Sequence, residues 1–143
     1  MVGAEACTVF CGVADPALVV ADLERRLSLD PVEPGWARVR ATAPEGAVVL
    51  TRLMFAPGSR FSGIVLGTLT AVRRGTEVRP GARADVVAHL QTCDMILGVR
   101  FEPTTVPDDA RVAAVLAVAA VTGGMVLDAG GVLAADGEPL VAV

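Results

Sequence analysis

Apolar positions along this chain switch repeatedly between a strand-like and a helix-like period, and the switches lay out its elements. Cys7 to Val13 form an almost unbroken apolar run, the pattern of a central strand buried on both faces. Asp15-Pro16 then predicts a helix start, with Asp as N-cap and Pro at the first helical position. Leu18, Val19, Leu23 and Leu27 recur at helical spacing and should point inward. Trp36 to Thr42 alternates: Trp36, Arg38 and Arg40 fall on one face, and Ala37, Val39 and Ala41 on the apolar other. A turn at Pro44-Glu45-Gly46 joins it to a second strand, Ala47 to Phe55, making a hairpin.

Ser59 or Ser62 can cap the next helix, which runs to about Arg74 and ends on Arg73-Arg74-Gly75. Cations there suit the C-terminal dipole, and Gly suits the stop. Gly63 and Gly67 share a helical face, which predicts close packing on a sheet. After an irregular stretch, Thr76 to Gly81, a short helix over 82–91 feeds a strand over 94–101. Pro103 to Pro107 is a loop, and Asp108-Asp109 favours the start of a helix over 110–121. That helix is nearly all Ala and Val, so it should be buried on more than one side. Met125 to Asp128 reads as a strand. Asp136-Gly137 between two apolar runs, 132–134 and 140–143, is a strong hairpin signal.

Two segments share a spelling. Cys7-Thr-Val-Phe-Cys-Gly12-Val13 and Cys93-Asp-Met-Ile-Leu-Gly98-Val99 both read Cys, four residues, Gly-Val, and each precedes a helix and paired strands. The expectation is two βαββ pseudo-repeats, about 5–56 and 91–143, joined by a helical segment 59–90 within one domain of residues 1–143. Val9 and Met95, and Gly12 and Gly98, should then occupy similar places. The hairpins favour an α+β fold, with helices packed on a mostly antiparallel sheet, ferredoxin-like in part, over a doubly wound parallel one.

Composition narrows the functions. Hydrophobic residues make up 53% and charged residues 20%, which suits a folded core rather than disorder. The chain has no Lys, no Asn and no Tyr. This bias suits a high-GC bacterial gene, and it removes lysine Schiff-base chemistry and the phosphate-loop lysine. A net charge of -4 with one Trp and four Phe argues against nucleic acid as partner. The sequence shows no secretory leader pattern. Its longest uncharged apolar stretch, 112–127, is shorter than the roughly 18–20 residues of a membrane span. Three cysteines make no disulfide framework. A cytoplasmic setting follows as the expectation.

No catalytic constellation stands out. Cys7, Cys11, His89 and Cys93 suit zinc by number and type. Yet Cys7 and Cys11 lie about 13 Å apart along a strand, and core filling is the commoner role of such cysteines. His89 alone could serve as a base, but no nucleophile lies near it in sequence. The 57–63 loop, with Ser59, Arg60 and Ser62, could hold an anion at a helix start together with His89. It lacks the Gly-Lys-Ser/Thr ending of a nucleotide loop. Arg73, Arg74, Arg79 and Arg83 form one basic segment, and Arg38, Arg40 and Arg52 a second patch. Asp94, Asp108, Asp109, Asp128 and Asp136 spell no metal motif. The sequence therefore points to a non-catalytic domain without cofactor that binds itself or another protein. A mean hydropathy of +0.60 supports that reading. Its alternative is a small-molecule or anion binder, or an enzyme, using the 57–63 loop.

Overall fold

The computed structural model describes residues 6–12, 15–25, 28–32, 35–43, 46–102 and 108–143. In chain order these form β1 (Ala6–Phe10), α1 (Pro16–Glu24), β2 (Ser28–Leu29), β3 (Arg38–Ala43), β4 (Gly46–Met54) and α2 (Arg60–Arg74). They continue with β5 (Thr76–Glu77), α3 (Ala82–Thr92), β6 (Met95–Glu102), α4 (Asp108–Thr122), β7 (Met125–Asp128), β8 (Gly131–Leu133) and β9 (Pro139–Ala142). The expected Pro44-Glu45 corner, the Pro103–Pro107 loop, and Val13 and Leu27 lie outside the described residues.

The strands make one sheet in the order β2-β3-β4-β6-β1-β7-β8-β9-β5. Every described pairing is antiparallel, so the fold is α+β. At the centre, β6 separates β1 from β4, and β1 separates β6 from β7. The path from β1 through α1 to β4 therefore skips one strand, and so does the path from β6 through α4 to β7. On the second path α4 alone links the two strands, whereas β2 and β3 stand between α1 and β4 on the first.

Helices cover both faces of the sheet, which explains why β1 is apolar at almost every position. Cys7, Val9 and Cys11 join a core with Val19 and Leu23 of α1 and Val115, Val118 and Ala119 of α4. Phe10 turns the other way, into a second core with Phe61, Leu69 and Val72 of α2 and Val86 and Leu90 of α3. Local signals set the helix ends as expected. Asp15 accepts a hydrogen bond from the Ala17 amide and Ser59 accepts one from the Phe61 amide. The C-terminus of α2 is tied to α3 by Arg83, whose guanidinium donates to the carbonyls of Val72 and Gly75 at 3.3 and 2.6 Å.

Four expectations change. Trp36 does not share the exposed face of Arg38 and Arg40; it precedes β3 and is buried in the core with Val39 and Ala41. Its indole donates to the Pro16 carbonyl at 3.4 Å. Gly63 and Gly67 face outward, and an added Cβ at either would meet nothing within 4 Å. Helix α4 has an outer side, where Ala113 and Ala120 are exposed. The shared Cys-x4-Gly-Val spelling does not carry through to residue equivalence. Val9 and Met95 are both fully buried in the same core. Gly12, however, lies beyond the end of β1 against the Gly123 carbonyl, whereas Gly98 is mid-strand in β6. Cys7 and Cys93 join opposite cores. The likeness of the halves is one of element order.

Glycine is demanded by the backbone at Gly131, where φ is +142° and a Cβ would run into the Val141 carbonyl. Gly131→Ala is expected to lower stability by roughly 1–3 kcal/mol. Gly63→Ala, in an open helical position, is expected to raise it by roughly 0.5–1 kcal/mol. Urea midpoints of the two variants test both signs, and equal effects would contradict the environments described.

Candidate functional site

An apolar recess lies where α2 and α3 meet the end of β4. It has a volume of about 420 Å³. Phe55, Phe61, Val65, Leu66 and Leu69 supply its apolar walls, Leu90 and Cys93 lie on the α3 side, and Ser62, Gln91 and Asp94 are its polar lining.

Each wall follows from local structure. Phe61, Leu69 and Val72 face the core from α2, so Leu66 falls on the outer side of the helix and is 63% exposed. Phe55 leaves the end of β4 with its amide bonded to the Asp94 carbonyl at 2.9 Å. Its ring meets Phe61 edge-on, with centroids 5.7 Å apart, a favourable aromatic geometry. Phe55 nevertheless stays 55% exposed. The recess thus has a large projecting side chain on either side of an apolar floor.

The floor ends on a thiol. Cys93 is the residue that caps α3, and its Sγ donates to the Met95 carbonyl at 3.1 Å. The same carbonyl accepts the Cys11 amide at 3.0 Å, so the two cysteines meet around one backbone oxygen. Burial pushes the Cys11 thiol up to about 12, and the neighbouring Cys93 adds to the rise. Burial also raises Cys93. Neither is an activated thiolate at neutral pH, so the pair suits packing better than nucleophilic chemistry.

Of the residues proposed for an anion site, Ser62 alone lines the recess. Ser59 is spent on capping α2, and Arg60 is exposed at the first position of that helix. His89 turns to β1, with Nε2 2.7 Å from the Phe10 carbonyl. A carbonyl only accepts, so this contact requires the proton on Nε2. The Nε2 proton of His89 is thus spent on β1. The zinc ligand set is not assembled either: Cys7 sits opposite Val99, four residues from Cys11. Among the described residues no three His, Cys, Asp or Glu side chains gather as a metal site would need.

Asp128 and Asp136 serve as turn residues. Asp128 Oδ1 accepts from the Gly130 and Gly131 amides, and Asp136 Oδ1 from the Glu138 amide. Two of the basic residues leave their expected groups. Arg79 pairs with Asp85 and Glu138. Arg52 leaves the expected patch to donate to the Trp36 and Gly35 carbonyls at 2.6 and 3.0 Å, with its guanidinium 5.2 Å from the Trp36 ring centroid. A smaller recess of about 340 Å³ lies beside Trp36, walled by Pro16, Ala17 and Val20 of α1.

The recess was not singled out from the sequence. Its available signal was Leu66, an apolar residue on the outer side of α2, and Phe55, an aromatic placed just past a strand end.

No family model, no curated protein and no solved structure matches the chain. No described helix is long and apolar enough to cross a membrane.

Proposed function

We propose that this protein is a non-catalytic interaction domain that associates with a second copy of itself through the α2–α3 recess. The observation that carries this reading is the pairing of Phe55 and Leu66, both more than half exposed, around one apolar hollow. Leaving these two side chains more than half in water forgoes roughly 1–2 kcal/mol each, the exposed share of the gain from full burial. A patch with both a projecting Leu66 and a hollow beside it is self-complementary. An isologous twofold contact needs that property, because each copy must offer what the other fills. A cytoplasmic, bacterial-type setting belongs to the same proposal, and a chain whose three cysteines make no disulfide framework suits it.

Sedimentation velocity at micromolar concentration tests the reading. Wild-type protein is expected to sediment as a dimer, and Leu66→Arg as a folded monomer with an unchanged circular dichroism spectrum. A wild-type monomer, or a dimer that Leu66→Arg leaves intact, overturns it.

A further inference from the structure

The face of the sheet that carries Phe10 is only partly covered. One row across the sheet, Leu53–Ile96–Phe10–Met125, packs against α2 and α3. The next row reads Arg38–Thr51–Gly98–Thr8–Leu127, and the one beyond it Arg40–Val49–Arg100. Paired residues in antiparallel strands point to the same side, so all these side chains share one surface. Here the side chains of Arg38, Arg40 and Arg100 are 60%, 48% and 54% exposed.

The three guanidiniums come from β3 and β6 yet converge on one carboxylate. Glu102 is 3.8 Å from Arg38, 3.6 Å from Arg40 and 3.1 Å from Arg100. Asp30 is 3.8 Å from Arg40. Among the described residues, three positive charges face two negative ones, a local excess of +1. Each guanidinium has five N–H donors, and among the described residues one shared carboxylate and Asp30 are the acidic groups that meet them.

Beside the cluster the sheet has a trough. Gly98 has no side chain, and an added Cβ there would stand 3.8 Å from the Thr51 carbonyl, its nearest neighbour. Thr51 and Thr8 flank Gly98 in register. Neither hydroxyl makes a side-chain hydrogen bond among the described residues.

We propose that this trough and its arginines form a binding site for a small phosphate monoester, with Glu102 acting as a built-in competitor for the same guanidiniums. Charge complementarity favours an anion. The donor arrangement favours a tetrahedral one: Glu102 offers two oxygens to three guanidiniums, whereas a phosphate monoester offers three to arginines on two strands and to the hydroxyls on both flanks. The space over one missing side chain fits a compact head group. The site is separate from the α2–α3 recess and does not depend on self-association.

Calorimetric titration at fixed ionic strength tests this, with inorganic phosphate and glycerol phosphate as probes and acetate as the planar control. Both phosphates are expected to bind and acetate to bind at least about tenfold more weakly. Arg100→Gln should weaken phosphate about tenfold, the effect of one charge-assisted hydrogen bond. Glu102→Gln should tighten it severalfold. Gly98→Val fills the trough with a residue that strands favour; it should abolish binding while thermal stability holds or rises. Binding of free phosphate but not of the ester would overturn the monoester assignment. No phosphate binding by wild type, equal affinity for acetate, or weaker binding by Glu102→Gln would overturn the site.

Discussion

Phe10→Ala is expected to lower the stability of this protein by roughly 3–5 kcal/mol. Phe10 is fully buried and lies at the crossing of the structure's main elements. Its backbone pairs with Ile96 on one side and Met125 on the other. Its ring belongs to the core shared by α2, α3 and the C-terminal strands. Its carbonyl receives His89 from α3, so the backbone around the ring is held and cannot settle into the space left by truncation. A site that cannot collapse keeps its cavity, and the cost then falls at the high end of the range. Against a typical total of about 5–15 kcal/mol, this is a large fraction. The melting temperature should fall by roughly 6–20 °C for a chain of this size. Phe55→Ala is the matched control, because its ring is already 55% exposed; it should cost clearly less. Urea titrations of the two variants decide the matter. A loss below about 1 kcal/mol for Phe10→Ala would mean that β1 is not the packed centre of the sheet.

How far such a centre can be read from sequence depends on whether the signal is local. The apolar run at Cys7 to Phe10 announced a strand buried on both sides, and β1 has a core on each face. Asp15-Pro16, Ser59 and Asp136-Gly137 set a helix start, a helix start and a hairpin turn through bonds spanning two or three residues, so their chemistry was legible. Strands β2 and β5 were not, because two residues have no period; pairing with β3 and β9 defines them. Trp36 followed the alternation of its segment on paper, but it precedes the strand, where alternation no longer applies. Gly63 and Gly67 suggested packing by their size alone, although their helical positions face away from the core. The arginine cluster shows the limit most clearly. Sequence proximity grouped Arg38 and Arg40 with Arg52, whereas strand pairing replaces Arg52 with Arg100. The 57–63 loop and His89 looked adjacent as chemistry, but His89 is directed to β1. Such groupings are set by register between distant strands, and one chain's local pattern does not encode them.

Composition and burial together make one further property unusually easy to isolate. The chain has neither Lys nor Tyr, and arginine keeps its proton throughout the accessible range. Between pH 9 and 12 the titrating side chains are therefore the three cysteines. In the folded protein Cys11 is raised from 9.0 to about 12, chiefly by burial, and Cys93 is raised for the same reason. The sign follows from comparing the two states. Below pH 9 folded and unfolded chains both hold the proton, and the thiol's contribution is fully present. Above it the unfolded chain releases the proton while the folded chain retains it, so rising pH favours unfolding. The loss approaches about 1.4 kcal/mol per pH unit for a fully differential group, and it levels off only as Cys11 itself ionises near 12. Going from about pH 8 to about pH 10.5 should thus remove roughly 2 kcal/mol through Cys11 alone. In Cys11→Ala that part of the pH dependence disappears, and the double variant with Cys93→Ala should flatten further. Urea midpoints at the two pH values provide the comparison. Parallel losses in wild type and Cys11→Ala would show that this thiol is not held in a water-excluded core, and that the contact of β1 with the end of α3 is looser than the shared Met95 carbonyl implies.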